Sequence, residues 1–285
     1  MGKVVKKVVA ELMAEEAERR GLLSDSQFGS RKRRSAVDAA AIMVDRAHAA
    51  WREGHIAGIL LMDIKAAFPS VGRGRLIHTM RVKGMDGGLI RWTASFLSDR
   101  KFEMVIEGNV MERHPVEAGI PQGSPVSPIL FAIHMSGLIK LVEERVTGAK
   151  GLSSVDDVGW VATGNDVNQV IGKLEACVRV SIDWAERWEL EFDTAKTKAA
   201  LFTRRRGHKK HLRLKLTAKV RVGNGFVRFN REATRWLGVW VDAHLTLKEH
   251  HNGCMKKARA AEARLWSLTG THGVVPACVR AVQIG

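Results

Sequence analysis

Residues 153–162, SSVDDVGWVA, set Asp156 and Asp157 side by side between two short runs of small and apolar residues. Adjacent carboxylates repel each other and break up a strand, so such a pair belongs either in a solvated turn or around a cation. Taken alone the pair reads as an exposed turn, because Asp is a common turn former. A second source of carboxylate changes the balance. In residues 55–68, HIAGILLMDIKAAF, an apolar run ends in Asp63 with Lys65 and Phe68 just beyond, as a buried strand does when it delivers a carboxylate to its edge. Asp63 together with the turn at Asp156 and Asp157 makes the inventory of a two-metal site, hard oxygen ligands converging on Mg²⁺. Phosphoryl transfer is the matching reaction, since paired ions activate an attacking hydroxyl and neutralise the attacked phosphate and its leaving group.

Working outward, apolar residues at positions 4, 5, 8, 9, 12 and 13 keep a helical period that Gly21 stops. Ser35 with Asp38 forms a capping-box pattern that opens a second helix, closed by Gly54. Residues 102–118 alternate around EGN as a hairpin, and 124–146 have helical length and period, with Ser124 as cap and Pro125 in the first turn. Strand, Asp-Asp turn and strand span 151–163, and a helical pattern returns from Asn165 to Glu189. KAALFTRR, HLRLKL, AKVRVG and TRWLGVWVD then read as strands, before a last helix from Lys248 past Trp266. Without repeats or low-complexity linkers, the mixture is an α+β fold.

The chain has 285 residues, 45% of them hydrophobic, enough for a substantial core in one large domain or two modest ones. Its formal charge of +16 favours an acidic polymer as partner, nucleic acid first. No Asp or Glu occurs from Thr194 to Arg231, while 13 Lys and Arg do, and RKRR at 31–34 adds a second basic cluster with the form of a nuclear localisation signal. Cys177, Cys254 and Cys278, odd in number and far apart, do not make a disulfide framework and fit a reducing compartment. His250, His251 and Cys254 are one ligand short of a zinc site. Residues 118–139 carry no charge, but Pro121, Pro125 and Pro128 interrupt them, so they make a poor membrane span; the N-terminus lacks an apolar signal core. Trp184, Trp188, Trp236 and Trp240 recur at helical or strand spacing and read as core.

Seven segments, in order, resemble the reverse transcriptases of non-LTR (LINE-type) retrotransposons, those of fungal genomes in particular: LLSDSQFGSRKRRSAVDAA (22–40), LLMDIKAAFPSV (60–71), SFLSDRKFEM (95–104), AGIPQGSPVSPILF (118–131), SSVDDVGWVA (153–162), LEFDTAKTKAALFTRR (190–205) and RWLGVWVDAHLTLKEH (235–250). The resemblance implies a right-hand polymerase, with partial fingers over 1–62, a palm with inserted fingers elements over 63–244 and the start of an incomplete thumb over 245–285. It implies RNA-directed DNA synthesis with two Mg²⁺ ions, Mn²⁺ being an alternative, on an RNA template, a DNA primer or target and deoxynucleoside triphosphates. By the same resemblance Asp63, Asp156 and Asp157 hold the metals, and Lys196, with Lys198 as its close alternative, serves the pyrophosphate side. Phe68 would clash with a ribose 2′-hydroxyl, Gln122 and Gly123 would lie beneath the nascent base pair, and Arg31 and Arg34 would contact phosphates. Such a protein would act inside the cell, in a nuclear or cytoplasmic ribonucleoprotein, with no membrane.

Two positions depart from the family pattern: Ser154 replaces an aromatic before the VDD, and Pro69 replaces the Asp that commonly follows Phe68. With both ends of the domain expected to be short, the alternative is an inactive retrotransposon remnant that at most binds RNA or DNA through its basic surface.

Overall fold

The computed structural model describes residues 2–107, 109–116, 118–204, 218–230 and 232–271. Its centre is strand β1 (Ile56–Asp63), in which the first seven residues are buried and only Asp63 emerges. So continuous an apolar run requires cover on both faces. β1 lies between β7 (Asp157–Gly164) and β8 (Lys198–Phe202), and β6 (Ala149–Ser154) extends the sheet beyond β7, giving the order β6-β7-β1-β8 with every pair antiparallel.

Alternation along β1 divides the core. Ile56, Leu60 and Met62 pack with α5 (Ser127–Arg145) and α6 (Val167–Arg187) through residues such as Phe131, Leu174 and Val178. Ala57, Ile59 and Leu61 face α2 (Ala36–Arg52), whose Ala39, Met43 and Ala47 are buried, together with Trp236 and Val241. Asp63 has the parity of Leu61 and therefore belongs to the α2 side of the sheet. α1 (Gly2–Arg19) buries Val9, Met13 and Ala17 against the larger core.

The predicted capping box is present: Ser35 Oγ accepts from Asp38 N at 3.1 Å while Asp38 Oδ2 accepts from Ser35 N at 2.7 Å. α5 starts later than its sequence implied, at Ser127, because Ser124 N donates to Pro121 O and Ser127 Oγ donates to the same carbonyl at 2.6 Å, holding 121–126 as a turn. The 102–118 hairpin forms as two short ladders, β2 (Lys101–Phe102) with β5 (His114–Pro115) and β3 (Val105–Ile106) with β4 (Asn109–Val110). Two helices, α3 (Arg73–Val82) and α4 (Gly87–Leu97), were not apparent from periodicity; their sequences mix Arg, Gly and His with few apolar residues in α3, and α4 rests on an Asp86 cap that accepts from Gly88 N and Leu89 N.

After β8, β9 (Lys219–Val222) pairs with β10 (Gly225–Arg228), and β11 (Thr234–Trp236) with β12 (Val239–Val241). The strand expected at HLRLKL lies outside the described residues. A final helix spans Lys248–Thr271. The boundary expected after residue 62 falls inside β1, so the central sheet begins at Ile56, within the stretch assigned to the fingers. Trp184 and Trp236 are buried as expected and Trp184 stacks on Trp188, whereas Trp240 is exposed. No described helix is long and apolar enough to cross a membrane.

Candidate active site

The SSVDDVGWVA stretch folds as a tight hairpin. Ser154 pairs with Asp157, leaving only Val155 and Asp156 in the loop, and Val155 takes φ +57°. Two-residue hairpin loops favour positive φ because it matches the strand twist, so a β-branched residue here is held in place by its surroundings. Asp157 is the first residue of β7, directly opposite Asp63, the last of β1. Residues opposed in this way share a face, with Cβ atoms roughly 5 Å apart. Asp156 adjoins them in the loop.

All three carboxylates are half-buried. Burial, then the charges of Asp156 and Asp63, push the Asp157 carboxyl up to about 6, against a smaller opposing pull from Lys198. Asp156 is also raised, chiefly by burial, with Asp63 adding to it. Sequence and fold have thus gathered like charges where they repel, an arrangement that a hard divalent cation relieves. As the side chains are turned, no three His, Cys, Asp or Glu among the described residues stand close enough to share one ion. A protein cation takes that place: Lys196 Nζ lies 2.9 Å from Asp63 Oδ2 and 3.4 Å from Asp193 Oδ2. Three half-buried carboxylate donors, among them Asp156 and Asp157 with their carboxyls raised, fit Mg²⁺ once Asp63 turns from Lys196.

Lys196 is delivered by a loop laced to the end of β1. Asp193 N donates to Asp63 O at 2.7 Å, Lys65 N donates to Glu191 O at 2.8 Å, and Ile64 bridges Phe192. The hydrogen bond to Asp63 raises the Lys196 pKa. Lys198, in register with Leu61, lines the same cleft without contacting Asp63, so Lys196 is the nearer of the two. The cleft encloses about 620 Å³ and is bounded by Asp63, Asp157, both lysines, Arg235 and Trp236. Arg235 was not singled out from sequence; its only signal was an exposed alternation partner to buried Trp236 in β11.

Asp157→Asn tests the crowding. A carboxylate whose folded pKa is raised destabilises the folded chain when ionised; that penalty is absent below the unfolded pKa near 3.9, grows as pH rises and is complete above about 6. The variant is therefore expected to melt higher than the unaltered chain at pH 8 and equally at pH 3, and to gain less from added Mg²⁺ in a thermal-shift series. Equal midpoints at pH 8 would contradict the crowding.

The remaining candidates divide. Phe68 is half-buried, its ring 5.4 Å from that of Phe131. The PQG loop is docked beside it: Ile120 N donates to Phe68 O at 2.8 Å and Gly119 N to Val71 O at 2.9 Å. Gly119, at φ +84°, has no room for a side-chain carbon, which would lie 2.7 Å from Pro69 O. Gln122 and Gly123 are exposed at the tip, Gly123 with open space beside it. Arg34 is paired with Asp25 and lies over the Phe28 ring.

Arg31 departs from the expected phosphate contact. Its side chain is 4% exposed, and it donates to both Glu18 oxygens at 2.6 and 2.7 Å and to the carbonyls of Ser24 and Gln27. Four internal acceptors take up the guanidinium, so a phosphate would have to displace an ion pair whose Arg31 side is buried.

The site is thus a four-stranded antiparallel sheet that sets one strand-end Asp against an Asp-Asp hairpin, with a lysine alongside. The chain belongs to the reverse transcriptase (RNA-dependent DNA polymerase) family, whose profile matches residues 1–241. It is 22% identical over 93% of its length to the RNA-directed DNA polymerase from mobile element jockey of Drosophila melanogaster, and 22% identical over its full length to a probable RNA-directed DNA polymerase from transposon BS of the same fly. A shorter match, 28% identical over 34% of the chain, is to the Pol polyprotein of the type-1 retrotransposable element R2 of Popillia japonica. The chain spans 28% and 31% of the first two relatives. Among solved structures, the apo telomerase of Candida tropicalis, truncated from its C-terminal domain, superposes with a TM-score of 0.59 over 86% of this chain and 44% of that one at 13% identity, which shows the shared fold.

Proposed function

We propose that the chain is the catalytic core of an RNA-directed DNA polymerase of a non-LTR retrotransposon, extending a primer 3′-hydroxyl on an RNA template with deoxynucleoside triphosphates. The observation that carries this reading is the in-register apposition of Asp63 and Asp157, with Asp156 in the adjoining turn and Lys196 at 2.9 Å from Asp63. The family generally uses divalent ions, which, when bound, activate the 3′-hydroxyl and neutralise charge on the phosphates. Asp63 and Asp156 are assigned as principal ligands and Asp157 as the third carboxylate. Released from Asp63, Lys196 presents its ammonium to the departing pyrophosphate, as charge stabiliser or general acid. The basic run after Thr194 supplies phosphate contacts that do not depend on sequence. In this reading the sheet is the palm, the 102–118 hairpin belongs to the fingers, and the helix from Lys248 opens the thumb.

Phe68 is the proposed selector against ribonucleotides. Its ring is backed by Phe131 and its carbonyl is fixed by Ile120, so it cannot easily swing away from a 2′-hydroxyl. Primer extension on an RNA template, with deoxy- or ribonucleotides in parallel, tests both function and gate. The unaltered chain is expected to use deoxynucleotides, and Phe68→Val to raise relative ribonucleotide use by about tenfold to a hundredfold. Unchanged discrimination removes the gate; no extension under any condition, with template binding retained, favours the inactive remnant.

A further inference from the structure

The segment following α1 is packed against the Asp-Asp hairpin. Phe28 N donates to Ser153 O at 2.8 Å and Ser153 N to Ser26 O at 2.9 Å, so residues 26–28 cover the free edge of β6. Buried Gln27 anchors this strap from below, its Nε2 donating to Ala132 O of α5 at 3.0 Å. One residue on, Gly29 abuts the loop itself. A side-chain carbon there would fall inside contact distance of Val155 N, 2.7 Å from Val155 Cγ2 and 3.0 Å from the Ser154 carbonyl carbon. Two of these three atoms are backbone of the turn that carries Asp156, so the clash is not relieved by rotating a side chain.

Arg31 closes the strap. Its guanidinium ties the carbonyls of Ser24 and Gln27 to Glu18 on α1, fixing the segment just before and within its contact with β6. Resting on the polymerase reading above, we infer that residues 26–29, clamped by the Arg31–Glu18 pair, form a positioning strap that sets the height of the Asp156–Asp157 turn, with Gly29 as its bearing point. Val155, held at φ +57°, is the residue through which the strap presses on the turn. None of these residues touches a reacting atom; each acts through the turn.

The test compares Gly29→Ala, Gly29→Ala with Val155→Gly, Arg31→Gln and Glu18→Gln in the full chain. It reads saturating single-nucleotide incorporation, primer-template affinity across a salt series, and binding of Mn²⁺ alone. Gly29→Ala is expected to lower the maximal rate about a hundredfold, the scale of an ångström-sized misplacement, and to weaken Mn²⁺ binding, with primer-template affinity unchanged. Val155→Gly partly restores both, because glycine accepts positive φ without strain and removes the methyl in the way. Arg31→Gln and Glu18→Gln lower the maximal rate in common and leave the salt dependence of binding untouched. An Arg31 that contacts phosphate instead loses about one unit of salt slope as Gln and shares nothing with Glu18→Gln, which would overturn the inference, as would a Gly29→Ala rate within twofold of the original. Should Gly29→Ala not fold, the matched pair Arg31→Gln and Glu18→Gln decides. Should the unaltered chain extend no primer, the Mn²⁺ measurement still decides the strap, separately from the polymerase reading.

Discussion

Asp156→Asn and Asp63→Asn each reduce primer extension by about a thousandfold or more, and Asp156→Asn melts no lower than the unaltered chain. On the proposed polymerase reading, the rate loss follows from removing a charged ligand from a site where bound ions would stabilise several kcal/mol of developing charge. The retained stability follows from the local electrostatics: Asp156 is half-buried with its carboxyl raised by burial and by Asp63, so a neutral isostere at 156 relieves repulsion. Asn also keeps the shape of a turn residue that tolerates the hairpin loop. Extension assays with thermal melts of the same preparations check both halves. A variant that loses activity together with its fold, or keeps activity within a few-fold, would contradict these roles.

Lys196→Ala carries the second largest effect, and its two readouts move in opposite directions. Without the ammonium, the maximal rate falls by about a hundredfold or more, the range for a lost general acid. Mn²⁺ binding in the absence of nucleotide becomes tighter, because Lys196 Nζ otherwise holds Asp63 at 2.9 Å and sets a positive charge beside the ligands. Calorimetric titration of the ion and single-turnover incorporation separate the two. Weaker ion binding in Lys196→Ala would show that the lysine supports the metal site rather than competing for it. Lys198→Ala, lacking contact with Asp63, is expected to move ion binding less.

Much of the site was legible in sequence because its logic is local. An eight-residue apolar strand ending in Asp63 and a VDD between short runs left few other placements, and the β1–β7 register turned those two signals into one apposition. The α2 capping box and the helical pattern of α6, which buries Val167, Val170, Leu174 and Val178, were readable for the same reason. What failed involved partners distant in sequence. Arg31 looked like a free cation in RKRR, and nothing nearby revealed that Glu18 on α1 would bury it. Gly29 and Gly119 are required by approaches to Val155 and Pro69, which only the fold creates. α5 began at Ser127 rather than after Ser124 because two donors compete for the Pro121 carbonyl, a contest that proline counting does not decide.

The central claim is that the carboxylates at the end of β1 and at the β6–β7 hairpin together bind divalent ions for nucleotide transfer. Its most direct measurement is electron paramagnetic resonance titration of Mn²⁺ into the full chain with a 3′-deoxy-terminated primer on an RNA template and the matching deoxynucleotide. The account predicts two bound ions for the unaltered chain and loss of tight binding in Asp63→Asn and Asp156→Asn. Equal Mn²⁺ uptake by all three proteins would contradict it.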